Sequence, residues 1–405
     1  MTFNGKRQVR LSALVLNSIE QVAGGMARGG RDRPAQAVAD LSQLFTKDRS
    51  SLSAGYLDNP SHAAAYLRYF LPVNLSKVQV LLDEMPLDWT EQGPDAQIRV
   101  LDVGAGPGTG ALAVRDWLHQ YRPDREKDLA VVAVDASGEA LKQARHLWAA
   151  YGRASGTASG QLTTCEGNLE RAPGGPWIQQ IEQHAPYDVI VMANCLNELF
   201  PRAADPVEAK VKLVTQLLSR LAPAGTMLIV EPALRETSRG LHQVRDRLVH
   251  EKCCTIYSPC LHEQGCPALV NPFDWCHEER AWETPVSIQA IDEQVGFIKD
   301  ALKFSYLLLR KDGWTIVERR PNVYRVVSEL REMKGEKRAW FCNELGRSEI
   351  GRQDRLASPQ NAAVDAWHRG AIVQIERVMR KEREGKASAV GRIERDAAVR
   401  IIRSA

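Results

Sequence analysis

The segment Val100 to Gly110 (VLDVGAGPGTG) narrows the choice of fold more than any other stretch of the chain. An apolar run carries an acid, Asp102, and passes into a turn with glycine at Gly104, Gly106 and Gly108. Glycine lets the backbone turn sharply there and lets a ligand approach it closely. A helical pattern, ALAVRDWLHQY, follows at once. Strand, glycine turn and helix in that order predict a nucleotide-type ligand at the carboxyl end of a parallel strand.

The surroundings repeat the pattern. From Ile98 onward, short apolar runs alternate with helical stretches: IRVLDVG, LAVVAVD, QLTTCEG, YDVIVMA and TMLIVEP. Such alternation predicts an α/β fold with a parallel, doubly wound sheet. SYLLLRK at 305–311 is a candidate closing strand. The second strand ends in Asp135, placed to accept hydrogen bonds from a ribose or to cap the next helix. Asn168, after the third strand, is a candidate contact for an adenine edge, or a polar loop tip. A dinucleotide site usually reads G-x-G-x-x-G. Here the wording is G-A-G-P-G-T-G with Asp102 two residues ahead. That arrangement resembles the first motif of class I methyltransferases. The resemblance implies a Rossmann-like domain that binds S-adenosylmethionine. Asp102, Gly104, Ala105, Gly106 and Gly108 would surround its methionine part and Asp135 its ribose.

The fourth strand ends in ANCLNELF. Asn194, Asn197 and Glu198 therefore stand where open sheets bind ligands, as candidates for the chemistry, with Asn194 also a cofactor contact. The wording is neither the N-P-P-Y type nor a Pro-Cys nucleophile, and Cys195 reads as core more readily than as a nucleophile. Methyl transfer needs little beyond aligned reactants and sometimes a base.

Residues 1–95 read as a helical N-terminal domain, with apolar residues three and four apart in LSALVLNSIEQVA and AQAVADLSQLF. Ser61 is a candidate cap for AAAYLRYFL, Pro72 is expected to interrupt that helix, and EQGPDAQ at 91–97 reads as a linker. The Rossmann-like domain is expected over 96–252, a cysteine-rich metal-binding insert over 253–300, and the closing strand within 301–318. A small β unit over 319–405 is expected to carry a basic C-terminal helix, AVDAWHRGAIVQIERVMRKEREGK.

Five of the eight cysteines lie between Cys253 and Cys276. Without a secretory signal pattern, disulfides are not expected. Cys260, Cys266 and Cys276 lack the tight C-x-x-C of a zinc ribbon, and prolines 259, 267 and 272 stiffen the chain between them. Thiolates select zinc or an iron–sulfur cluster. Three thiolates need a fourth ligand, for which Cys342, Cys253 and Cys254 compete, with His262 and His277 as alternatives.

Taken together, VLDVGAGPGTG, NCLNEL, IVEP, IYSPCLHEQGCP…WCHEER and FSYLLLRK resemble the Rsm-type small-ribosomal-subunit methyltransferase-like family, over about residues 50–350. Its members occur in bacteria and mitochondria. The resemblance implies a role at the small ribosomal subunit in contact with its rRNA. It also implies a four-iron four-sulfur cluster held by Cys260, Cys266, Cys276 and Cys342. YLDNPSHAAAYLRYFLP departs from the family's usual wording.

A net charge of +3 makes no whole-molecule case for nucleic acid. Arg319-Arg320, Lys334 to Arg338 and Arg377 to Lys386 are local candidates for phosphate contact, or solvated faces. No apolar run approaches the roughly 20 residues of a membrane span. The expectation is a protein of the bacterial cytoplasm, or of the mitochondrial matrix in a eukaryote, monomeric off the ribosome. A non-catalytic RNA-binding assembly factor and a small-molecule methyltransferase are the competing functions.

Overall fold

Alternation of apolar runs and helices yields a parallel sheet because each strand must return to the same edge through a covering helix. The structure, a computed structural model, describes residues 2–3, 6–7, 9–26, 34–48, 55–91, 93, 96–157, 160–171, 176–380, 382–383, 386–387 and 389–404. Residues 92, 94 and 95 of the expected linker lie outside that set. Strands β1 (Ile98–Val103), β2 (Leu129–Asp135), β3 (Gln161–Glu166), β4 (Tyr187–Ala193) and β5 (Leu221–Pro232) are all parallel, in the order β3-β2-β1-β4-β5. Three more strands, β6 (Thr255–Ser258), β7 (Glu278–Ala281) and β8 (Ala301–Arg310), complete the sheet. The expected closing strand, β8, runs antiparallel beside β5, with Phe304 opposite Pro232 and Leu309 opposite Met227. Both β6 and β7 then pair with β8. This is a class I Rossmann-like methyltransferase fold, and its order reverses beside β1, where the glycine turn begins.

The cysteine-rich stretch is not a separate insert. It supplies β6 and β7 to this sheet, and the helix after β7 packs against the N-terminal helices.

Helices α1 (Ala13–Met26), α2 (Pro34–Thr46), α3 (Pro60–Ala65) and α4 (Leu71–Glu84) form the N-terminal layer. Helices α5 (Thr109–Tyr121), α6 (Gly138–Ser155), α7 (Pro176–Gln183), α8 (Pro206–Leu218), α9 (Arg235–His250) and α10 (Val286–Val295) follow. Alternate strand residues feed two cores. Val100, Val191 and Val230 pack with α4 and α5, whereas Leu101, Met192 and Ile229 pack with α8 and α9. Burial on both faces explains why these strands read as unbroken apolar runs.

Two local expectations are corrected. Asn59, not Ser61, caps α3: its side-chain oxygen accepts the Ser61 N–H at 2.9 Å. Pro72 does not break the helix. The chain instead widens into one π turn, Tyr66–Phe70, in which the Leu71 N–H reaches the Tyr66 carbonyl. The wider turn accommodates a proline that lacks a donor and crowds the preceding turn.

The C-terminal unit is a second sheet. Its strands are β9 (Val323–Val326), β10 (Arg331–Met333), β11 (Glu336–Asn343), β12 (Gly346–Gln353), β13 (Ile372–Ile375), β14 (Val390–Arg392) and β15 (Val399–Arg403). They lie in the order β14-β12-β11-β9-β13-β15, with β10 on β11. The expected basic helix over 363–386 does not form among the described residues. A short 3-10 stretch, Pro359–Ala366, leads through Gly370 at φ +86° into β13. Ile372, Val373 and Ile375 are buried, and such β-branched side chains pack better in a sheet than their helical spacing suggests.

A buried ion network joins the three parts. Arg325 of β9 reaches Glu278 of β7 at 3.0 Å and Glu84 of α4 at 3.4 Å, and Arg280 also pairs with both acids. The Tyr306 hydroxyl donates to Glu84 at 2.6 Å, and Ser258 bonds the same carboxylate. Among the described residues, no helix is long and apolar enough to cross a membrane.

Candidate functional site

The glycine turn is held from both sides. The Ala105 N–H donates to the Val134 carbonyl of β2 at 3.0 Å. Asp135 accepts the Gly106 N–H and the Ser137 N–H, each at 2.8 Å. The acid expected at the ribose thus also pins the turn, and burial pushes its carboxyl upward. Asp102 is 1% exposed and accepts the Ala111 N–H at 2.8 Å, so it fixes the start of α5 from beneath. Burial pushes its carboxyl up to about 7.

Gly104 has φ +65°, and a Cβ there would lie 2.2 Å from Cys195 Sγ. Cys195 is therefore a packing partner of the turn. Gly104→Ala combines that clash with left-handed strain of about 1–2 kcal/mol. Its affinity for S-adenosylmethionine is expected to fall at least about tenfold, equivalent to about 1.4 kcal/mol. Calorimetric titration checks this, and unchanged affinity would place the cofactor elsewhere.

Asn194 is held at φ +56° by a 2.7 Å bond from its N–H to the Val230 carbonyl. Both polar atoms of its side chain are buried without a partner. Buried amides are nearly always bonded, so this one is available to a ligand. The Asn197 N–H donates to Glu231 at 3.2 Å, and Glu198 is exposed on the short turn Leu196–Glu198. Asn168 is exposed and its side chain accepts the Glu170 N–H at 2.9 Å, the geometry of a loop tip.

Two contributors escaped the sequence reading. Tyr66 of the π turn has Asn74 and Thr109 as side-chain partners, and Thr109 opens α5. Burial pushes its hydroxyl up to about 12, and the charges of Glu198 and Asp135 act in the same direction. The Tyr56 ring lies tilted against it, centroids 6.2 Å apart, and feels the same acids. The N-terminal layer thus reaches the glycine turn; no motif announces it. The second is Glu231, in the quoted IVEP, whose carboxyl burial pushes up to about 8.

Cys260, Cys266, Cys276 and Cys342 all border one cavity between the edge of the main sheet and β11. Burial pushes the Cys276 thiol up to about 11, with Cys260 acting in the same direction. Cys342 rises as well, through burial and through Cys260, Cys276 and Cys266. His262 Nε2 lies 3.6 Å from Cys342 Sγ, and His277 borders the same cavity. Cys253 and Cys254 do not border it, and none of the eight cysteines is in a disulfide. As a donor set, four thiols on one enclosed space fit a thiolate-bound group. Their present spacing does not close around an ion: among the described residues, no group of three or more His, Cys, Asp or Glu is arranged to hold a metal.

Five cations of the basic stretches stand in ion pairs, and the side chains of 381–388 lie outside the described residues. Arg319 pairs with Glu263 at 3.0 Å, Lys337 with Asp365 at 2.9 Å and Arg377 with Asp396 at 2.8 Å. Arg320 and Arg338 pair with Glu318 and Glu336.

Comparison with known proteins gives one family and a set of distant folds. A family model described as mitochondrial small ribosomal subunit Rsm22 matches residues 60–350. A search of curated proteins finds no match. Among solved structures, an arsenic(III) S-adenosylmethionine methyltransferase from Chlamydomonas reinhardtii is similar at 16% identity, covering 63% of this chain and 83% of that one, with a TM-score of 0.31. An O-methyltransferase family protein from Burkholderia thailandensis is similar at 16% identity, covering 71% and 74%, with a TM-score of 0.34. An amino pentose methyltransferase from Micromonospora echinaspora is similar at 13% identity, covering 69% and 74%, with a TM-score of 0.26. The fold assignment rests on strand order and not on these scores.

Proposed function

The chain belongs to the mitochondrial small ribosomal subunit Rsm22 family, and from that premise we propose that it is an S-adenosylmethionine-dependent methyltransferase-like protein that acts on or with small-subunit rRNA and carries an iron–sulfur cluster. The observation that carries the methyltransferase reading is the glycine turn pinned by Asp135, with the unpartnered Asn194 amide beside it. In this reading Gly104, Ala105, Gly106 and Gly108 let the backbone approach the methionine part, Asp135 takes the ribose hydroxyls, and Asn168 stands near the adenine. Asn194 offers a donor and an acceptor to the donor or acceptor molecule. When bound, the cofactor supplies an electrophilic methyl group. The chain's own part is to align the acceptor and exclude water. Asn197 and Glu198 are the candidates for contact with the acceptor.

Cys260, Cys266, Cys276 and Cys342 would hold the cluster as thiolates, displacing protons that burial now favours. Zinc is the alternative with the same donors. A brown protein after anaerobic purification, with iron and sulfide on analysis, is the expected result; a colourless, zinc-containing protein overturns the cluster.

The function is tested with labelled cofactor, small-subunit RNA and low-salt sedimentation. Saturable cofactor binding, methyl incorporation and co-migration with small-subunit particles are expected. Binding without incorporation replaces catalysis with a non-catalytic assembly role. Failure to travel with the particles removes the ribosomal role.

A further inference from the structure

Glu231 ends the apolar part of β5 and is 1% exposed. One carboxyl oxygen accepts the Asn197 N–H at 3.2 Å. The other is buried, and the Asn197 side chain is the carboxyl's further neighbour. Glu231 borders a cavity of about 200 Å³ between the Leu196–Glu198 turn, α8 and α9. Leu196 and Leu241 give this cavity apolar walls, and Asn197 and Lys210 give it polar ones. Gly240 of α9 also borders it, and a Cβ built there would meet nothing within 4 Å. The helix surface is therefore bare at that point, with room for a flat group to lie against it.

We propose that this cavity is a subsite for a single nucleobase, taking its amide-like edge on Glu231 and Asn197 and its face on the bare helix at Gly240. The proposal rests on the methyltransferase reading and names the acceptor's chemistry. Glu236 and Thr237 also border the cavity, so its lining carries groups of both signs and selects neither a cation nor an anion. The volume exceeds that of one water, about 30 Å³, yet falls below the roughly 300 Å³ at which drug-sized pockets begin. A neutral, planar ring with donors and acceptors on one edge fits that space. Burial pushes Glu231 up to about 8, so near neutral pH the group keeps its proton. It then donates through one oxygen and accepts through the other, the pattern an amide edge requires. Lys210 suits the phosphate attached to such a base. The location also fits. Cys195 lies against Gly104, and the next residue, Leu196, borders the cavity, so the cavity stands beside the glycine turn. An enzyme that works on a base inside a structured RNA must take it out of its stack and house it.

The test uses the full chain, with and without saturating S-adenosylhomocysteine, and the four ribonucleosides as probes in saturation-transfer NMR and calorimetry. Wild type is expected to bind at least one nucleoside. Gly240→Leu fills the cavity with a good helix former and is expected to weaken that binding at least about tenfold. Glu231→Ala is expected to do the same, whereas Glu231→Gln, which keeps a donor and an acceptor, retains binding. S-adenosylmethionine affinity is expected to stay within about twofold in Gly240→Leu, well under the 1.4 kcal/mol of a tenfold change. No nucleoside binding, or binding that Gly240→Leu leaves unchanged, overturns the proposal. Failure of the cofactor to bind wild type overturns the methyltransferase reading instead, and the cofactor-free titrations still decide the cavity.

Discussion

Under the proposed cluster assignment, Cys276→Ser is expected to leave the protein without metal and to collapse its soluble yield. Cys276 stands just before β7 and shares its cavity with Cys260, Cys266 and Cys342. Those residues come from the loop after β6 and from β11 of the other sheet, so a group held by all four ties two sheets together. A serine hydroxyl stays protonated where a thiol can ionise, and it is a poor ligand for soft metals. The scale of the effect follows from known sites: structural zinc contributes about 10–16 kcal/mol in small folds. A whole domain is stable by only about 5–15 kcal/mol. Iron, sulfide and zinc per chain, with a melting curve, make the measurement. Cys165→Ser is the control, because Cys165 lies on β3 and does not border the cavity. Cys276→Ser protein with undiminished metal and an unchanged Tm would mean that the cavity holds no metal.

Glu84→Ala is expected to cost about 3–5 kcal/mol, because it leaves buried charge without its partner. Glu84 answers both Arg280 and Arg325, each at most 7% exposed, and Glu278 alone would have to balance two guanidinium groups. At this chain length the loss reads as a fall in Tm of roughly 5–15 °C. Glu84→Gln keeps the shape and the bonds to Ser258 and Tyr306 but drops the charge, so an intermediate loss is expected. The same group gives a pH signature. Burial alone would raise the Glu84 carboxyl, but Arg325 and Arg280, with the hydroxyls of Ser258 and Tyr306, hold it down to about 2. A folded pKa below the unfolded one stabilises the fold above the ordinary value of 4.5 and is lost as pH falls toward 2. Wild type should therefore lose stability over that interval more steeply than Glu84→Gln. Parallel acid titrations of the two, followed by tryptophan fluorescence, would show no difference in slope if the network did not exist.

The sequence exposes the main sheet because each strand is buried on both faces and each crossover is a helix, so local pattern and final packing agree. Val131, Val189 and Ile229 are apolar for the same reason that they are strands. Around Ile372 the two disagree. Helical spacing is present there, but pairing with β9 and β15 decides the outcome, and that lies outside any local window. The buried ion network is equally silent in sequence. Glu84, Arg280 and Arg325 look like surface charges until α4, β7 and β9 converge. Of the candidate site, the glycine turn and Asp135 are readable because they are contiguous with their strands. The place of Cys342 followed from family resemblance and not from spacing. Tyr66 and Glu231 were missed because their surroundings come from other elements.

One thiol of the cavity arrives much later than the rest. Cys260, Cys266 and Cys276 leave the ribosome that makes this chain well before Cys342, and β11 gains its partners β9, β10 and β12 in the same late stretch. A centre held by all four, as proposed, could therefore not be completed on a chain stalled before Cys342. Completing such a centre would mark a chain translated past Cys342 of β11, before the last strands of the second sheet are made.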